Sequence, residues 1–466
     1  MKLNYYEEKE LEILRRAVDK STEKASIEIT QSDKVKNIIE IVENFLYDTK
    51  LICYGGTAIN NILPVNQQFY NKYVDIPDYD FFSPNALNDA IKLADIYYNK
   101  GYKNVEAKAG VHKGTFKVFV DFIPVADITY IPHNLFNTLK KDSISIYGIL
   151  YAPINYLRMN MYLELSRPKG DISRWEKVLK RLILLNKNFP LKNDICNEKK
   201  FIRKYNEKIN KKNIESIYNI IKDTVINRGF VFFGGYALSL YSKYMPKNIK
   251  NNFNKKTPDF DILANNPLKA VTFIKERLNE NGINNVTYIK RNSIGELIPE
   301  HYEIKVNNDT IAFIYKTMSC HNYNILNIKG KNVKIATIDT ILNFYFSFLY
   351  GNRDYYDNDR LICMVQYLFI VQFKNRLNQK GLLKRFVWSC YGNQESIYDM
   401  RLYKSNQYNI LKNKKNSSEY KNLFLKYNPS DKTKTKTKTK SKSKSKTKTK
   451  TKSKSKSKTK SKSKSK

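Results

Sequence analysis

Two aspartates separated by one aromatic residue occur twice in this chain, as Asp78-Tyr79-Asp80 and as Asp259-Phe260-Asp261, each pair following a proline, Pro77 and Pro258. Alternate side chains of a strand share a face, so each pair sets two carboxylates at one spot while their apolar neighbours turn to a core. Two like charges so close are unfavourable unless a cation lies between them, and a divalent ion with hard oxygen ligands, Mg²⁺ or Mn²⁺, is the natural occupant. Each pair therefore reads as a metal site. A third carboxylate on a neighbouring strand would complete a two-metal centre. The segment FKVFVDFIPVADITYIP, residues 116–132, reads as a hairpin with Asp127 in its second strand. Asp121 competes for the role but falls where the hairpin turns, an ordinary place for an acid. Aligning YEIKVNNDTIAFIYKT of the second copy on the shared Lys-Val places Ala312 opposite Asp127, so the second copy lacks the third ligand.

The elements that position these acids repeat as well. Val35, Ile38, Ile39, Val42, Phe45 and Leu46 recur at helical spacing behind Ser32, a helix-capping residue type, and the strand-like LICY then runs into Gly55-Gly56. About 180 residues later Ile214, Ile217, Ile220, Ile221 and Val225 mark one face of a second helix, and FVFF runs into Gly234-Gly235. Twenty-one residues separate Gly56 from Asp78, so NNILPVNQQFYNKYVD must form a loop.

Beyond each copy lies another helical stretch. In ELSRPKGDISRWEKVLKRLILL, Arg174, Lys177 and Arg181 fall three and then four residues apart, on a face opposite Val178, Leu182 and Leu185, and such a face can grip a triphosphate. The bland alternative is a solvated basic face. Anchoring Arg353 on Arg167 and Arg360 on Arg174 replaces Lys177 by Cys363 and Arg181 by Tyr367. The second copy has lost both the third acid and the cationic face.

The glycine pair, the paired aspartates and the later strand carboxylate resemble the DNA polymerase beta type nucleotidyltransferase superfamily. The longer runs GGTAINNILP, PDYDFFSP and SRPKGDISRWEKVLKRL resemble the poxvirus-type poly(A) polymerase catalytic subunit and its giant-virus relatives, over roughly residues 30–190 with a fainter echo to 375. The resemblance implies an α+β fold of two tandem nucleotidyltransferase-like domains from an internal duplication, the first catalytic and the second degenerate. It implies template-independent transfer of AMP from ATP to RNA 3′ ends, with Asp78, Asp80 and Asp127 as catalytic and metal-binding residues. Gly55, Gly56, Arg174, Lys177 and Arg181 would bind the nucleotide. The implied partners are RNA, ATP, and a processivity partner or a second copy in a homodimer, in the host cytoplasm or packaged in the virion, with no membrane. Two rival readings are another nucleotidyltransferase, acting on tRNA ends or small molecules, and a non-catalytic RNA-binding scaffold.

The expected division is an N-terminal helical segment (1–30), a catalytic domain (31–195), a degenerate domain (196–380), a C-terminal extension (381–430) and a disordered basic tail (431–466). The net charge of +39 is consistent with a polyanionic partner, although lysine at every even position from 432 to 466 supplies 18 of the positive charges. Residues 1–431 still carry a surplus of 21. The tail has no apolar residue and would be a solvated arm, either touching phosphates or a tolerated repeat expansion. The five cysteines are scattered singly with no zinc-ligand spacing, which suggests a reducing compartment. No stretch is long and apolar enough to span a bilayer, and the four histidines fall outside every motif.

Overall fold

A computed structural model describes residues 4–71, 74–191, 196, 211–247, 250 and 259–431. The basic tail from 432, Pro258 and most of the segment 192–210 lie outside the described residues. The fold is α+β and divides into two compact units, one formed by residues 1–51, 70–130 and 404–466, the other by 52–69 and 131–403.

The first unit is built on a mixed sheet of strand order β16-β3-β4-β5-β2, where β2 is Tyr79–Ser83, β3 Val105–Ala109, β4 Thr115–Val120, β5 Ile123–Tyr130 and β16 Lys426–Tyr427. Strand β2 runs parallel to β5, whereas β3, β4 and β5 form an antiparallel meander. Helix α2 (Asp33–Thr49) starts where the Ser32 side chain accepts a bond from the Val35 N–H, and ends at Lys50 in the left-handed region. It buries Val35, Ile38, Val42, Phe45 and Leu46, nearly the whole face read from the sequence. Helix α4 (Ala86–Asn99) buries Ala90, Leu93, Ala94 and Tyr97. Helix α1 (Tyr5–Gln31), opened by a capping box at Asn4 and Glu7, is exposed along most of its length.

The second unit holds β1 (Ile52–Tyr54), parallel to β7 (Ile149–Tyr151), with β6 (Ile144–Ile146) antiparallel beyond it. It also holds the entire second repeat, an eight-stranded sheet of order β10-β11-β12-β9-β8-β14-β13-β15. Its strands are β8 (Val231–Phe233), β9 (Phe260–Ala264), β10 (Val286–Arg291), β11 (His301–Val306), β12 (Asp309–Lys316), β13 (His321–Ile328), β14 (Lys331–Ala336) and β15 (Cys390–Tyr391). The compact units thus cut across the tandem boundaries, because residues 52–69 and 131–195 group with the second repeat. Packing explains this: helix α6 (Ile154–Leu165) lies against α11 (Ile338–Phe348), with Asn343 donating to the Met159 carbonyl at 3.2 Å and Tyr162 stacked on Phe346 at 6.1 Å. The apolar run ILNFYFSFLY is this buried helix. Among the described residues no helix is long and apolar enough to cross a membrane.

The cysteines, scattered singly in the sequence, are brought together in pairs by the fold. Cys196 is bonded to Cys363 and Cys320 to Cys390, and Cys53 is buried. Partners 167 and 70 residues apart are brought together by tertiary packing and leave no local signature in the sequence.

Candidate active site

In the first unit, Asp80 on β2 is paired directly with Asp127 on the parallel strand β5, and Asp78 stands immediately before β2. Alternation over the start of the strand buries Tyr79 and Phe81 and leaves Asp80 between them half-buried, while Phe82, on the Asp80 face, is buried further along. Asp121 sits in the two-residue turn between β4 and β5, at φ 46°, and forms an ion pair with Lys34 at 2.7 Å. The hairpin, with Asp121 in its turn and Asp127 in its second strand, was therefore legible in the sequence.

One further residue was missed. Lys117 on β4 lies opposite Asp127 in the antiparallel register, and its ammonium contacts Asp127 Oδ2. The signal was the alternation of FKVFV, which sets Lys117 on the opposite face from the buried Phe116 and Val118. Asp127 Oδ1 is buried without a hydrogen-bond partner among the described residues. Although Asp78 as a residue is largely exposed, its carboxyl pKa is raised, first by desolvation and then by the charge of Asp127, with Lys117 opposing both. An orphaned carboxylate oxygen beside a second acid that resists ionisation suits a hard cation. Among the described residues no group of three or more His, Cys, Asp or Glu side chains converges in metal-ligand geometry. In this structure the cationic partner of Asp127 is Lys117.

The nucleotide-binding candidates lie in the second unit. Gly55 and Gly56 open helix α3 (Gly55–Ile62) after β1, and Gly55 has φ 75°, a conformation that favours glycine. Helix α7 runs from Trp175 to Asn188, with Arg174 at its N-cap. The expectation of one basic face is corrected here. Arg174 and Lys177 are exposed, but Arg181 is buried with Val178, Leu182 and Leu185, only 8% exposed, its guanidinium 4.7 Å from the centre of the Phe69 ring. Arg181 follows Val178 by three residues and directly precedes Leu182, so it falls on the flank of the apolar stripe. Arg174 pairs with Glu164 at 3.4 Å, and Arg181 and Arg167 add their fields to the same acid. Burial nevertheless raises the Glu164 pKa, against the pull of these arginines.

The second repeat carries the same plan with different contents. Gly234 and Gly235 open helix α9 (Gly234–Tyr241), with Gly234 at φ 69°. A Cβ on Gly234 would overlap the Asp261 carboxylate and one on Gly235 would overlap Asp259, so this glycine pair is required by close approach to both acids. The residue opposite Asp261 is Phe313, not Ala312. The two hairpins superpose through their turns, Asp121-Phe122 and Asn307-Asn308, all at positive φ, and both ladders shift register at the same place. Asp127 then corresponds to Phe313 and Lys117 to Glu303. The third ligand is absent, as the sequence implied, through a different residue. On helix α12 (Asn358–Lys374), Arg360 Nη2 lies 3.2 and 3.3 Å from the two oxygens of Asp259. Burial lowers the Arg360 pKa, but Asp259, Tyr345 and Asp261 outweigh it and leave it raised.

His301 is buried between the Pro299 carbonyl at 2.9 Å and the Tyr355 hydroxyl at 2.7 Å, and desolvation holds its pKa near 4.

Comparison with known proteins follows the first repeat. The sequence model of the family described as poly(A) polymerase catalytic subunit matches residues 40–171. A candidate catalytic subunit of African swine fever virus is 35% identical over 164 residues, 34% of this chain and 34% of that protein. One from Acanthamoeba polyphaga mimivirus is 30% identical over 275 residues, 57% of this chain and 45% of that protein. The chain thus spans only about a third to under half of the length of these curated relatives. The fold as a whole is similar to the crystal structure of the Megavirus polyadenylate synthase, at a TM-score of 0.75 and 20% identity, over 92% of this chain and 87% of that one. The segment matched by that family model contains Gly55, Gly56, Asp78, Asp80, Asp127 and Arg167, and stops short of Arg174, Lys177 and Arg181.

Proposed function

We propose that this chain transfers AMP from ATP to RNA 3′ ends without a template. The observation that carries the reading is the direct pairing of Asp80 with Asp127, with Asp78 beside them, inside the segment matched by the poly(A) polymerase family. In this reading the RNA 3′-hydroxyl oxygen forms a bond to the α-phosphorus, the bond to the β-phosphate bridge breaks, pyrophosphate leaves and the hydroxyl proton is released to solvent. Mg²⁺ or Mn²⁺ ions held by Asp78, Asp80 and Asp127 would supply hydroxyl activation and neutralisation of the triphosphate.

The chain's own residues prepare for this chemistry. Lys117 holds Asp127 and lowers the cost of ionising Asp78. The backbone of Gly55 and Gly56 would donate to phosphate oxygens, and Arg174, Lys177 and Arg181 would take up triphosphate charge. The basic surplus of residues 1–431 suits an RNA backbone. A processivity partner or a second copy of the chain belongs to the same reading, and product length as a function of protein concentration would reveal it.

The test is a short RNA primer, labelled ATP and Mg²⁺, with each of the other nucleoside triphosphates in parallel. A ladder specific to ATP supports the reading. No extension across several primers, metals and nucleotides would sink it and leave the scaffold alternative.

A further inference from the structure

We propose that Asp259 and Asp261 of the second repeat form a sealed divalent-cation site in which the Arg360 guanidinium replaces the ion. Three independent features meet there. The carboxylates of Asp259 and Asp261 both press against the Gly234-Gly235 backbone, which confines them to one small volume. The guanidinium spans both oxygens of Asp259, with side-chain exposures of only 15% for Arg360 and 7% for Asp259. The Tyr345 hydroxyl is fully buried, lacks a hydrogen-bond partner among the described residues, and feels the charges of Asp261, Arg360 and Asp259.

Two carboxylates and a phenol oxygen are hard donors, the set that binds Mg²⁺ or Mn²⁺. A guanidinium supplies a permanent positive charge in a planar fork that matches a carboxylate, so the repeat keeps its acids without any metal supply. With the guanidinium removed, the buried Asp259 and the half-buried Asp261 would repel, and the pocket must take up another cation or protons. The site differs from that of the first repeat, where Lys117 approaches Asp127 and the position equivalent to Asp127 here is Phe313. The inference does not rest on the polymerase reading, since its readout is metal binding rather than AMP transfer.

The experiment starts from full-length protein carrying D78N, D80N and D127N, which removes the carboxylates of the first repeat. Mn²⁺ binding is followed by the electron paramagnetic resonance of free Mn²⁺, and melting is recorded with and without the ion. With Arg360 present no Mn²⁺ should bind at this locus and the melt should ignore it. R360M should bind one additional Mn²⁺ per chain and melt higher in its presence, whereas R360M/D259N should lose that ion and R360K should resemble the parent. Refolding of a metal-free, unfolded R360M by added Mn²⁺ would also support the proposal. A folded R360M with no additional ion overturns it, as does Mn²⁺ binding that depends on Asp259 while Arg360 is intact. If R360M fails to fold even with Mn²⁺, the proposal is overturned whether or not R360M/D259N folds, because no ion can then take the place of the guanidinium.

Discussion

The two repeats share a strand, a glycine pair that opens a helix, and an Asp-aromatic-Asp strand, yet they solve the same electrostatic problem in opposite ways. In the first, Asp80 faces a third acid, Asp127, which is contacted by Lys117, and desolvation together with the charge of Asp127 raises the pKa of Asp78. In the second, Phe313 replaces the third acid, Glu303 takes the place of Lys117, and Arg360 closes over a buried Asp259. Glu303 in turn is satisfied locally, by Arg291 at 2.5 Å and by the Thr310 hydroxyl at 2.5 Å. Three acids facing one another across two strands and a pair closed over by an arginine can therefore share one backbone plan. The difference lies in which strand and helix neighbours carry charge.

The sharpest break in this comparison would come from alanine at both acids of each pair. D78A/D80A should reduce AMP addition to background while the protein still folds, because two-metal chemistry depends on these ligands by many orders of magnitude in rate. D259A/D261A should leave single-turnover AMP addition nearly unchanged and act on melting temperature instead. If the second pair proves as essential as the first, the division into active and sealed copies is wrong. Next in size, R360A should destabilise the fold by about 3–5 kcal/mol, the usual cost of stripping one partner from a buried pair, read by denaturant melts in metal-free buffer.

Smaller effects sharpen the first repeat. R181M should raise the KM for ATP roughly ten- to hundredfold with little change in kcat, as expected for a charged contact to phosphate worth about 1.5–3 kcal/mol. A fall in melting temperature with KM unchanged would make Arg181 only a packing residue over Phe69. Truncation after residue 431 should leave single-turnover chemistry intact but weaken RNA binding and flatten its dependence on salt. Unchanged binding at low and high salt would make the tail a passive expansion. K117M removes a cation that favours ionised Asp78, so the acid limb of the pH–rate profile should move to higher pH. A limb that stays in place would separate Lys117 from the titration of Asp78.

Much of this was legible in the sequence because it is local. Helix faces, glycine pairs and Asp-aromatic-Asp strands depend on spacings of two to four residues, and the α2 face of Val35, Ile38, Val42, Phe45 and Leu46 is buried as its periodicity requires. What was misread depends on register and long-range contact. Ala312 and Phe313 are adjacent, and only the turn at Asn307-Asn308 decides which of them faces Asp261. Arg181 looked like part of a basic face because the sequence does not show Phe69 beneath it. Arg360 was read only as an alignment anchor, since its partner Asp259 is 101 residues away.

The short strand β16 closes the exposed edge of the carboxylate sheet, with Lys426 and Tyr427 paired to Lys108 and Ala107 of β3 and the Tyr427 hydroxyl bonded to Asp95. An unpaired edge is a template for strand addition. Two residues near position 427 thus act as a cork: a chain cut just before Lys426 would bare the N–H and C=O groups of β3 to any passing extended peptide and become sticky, whereas one cut after Asp431 would keep its seal. Solubility of this unit should therefore change abruptly over a span of some six residues, long before any catalytic group is lost.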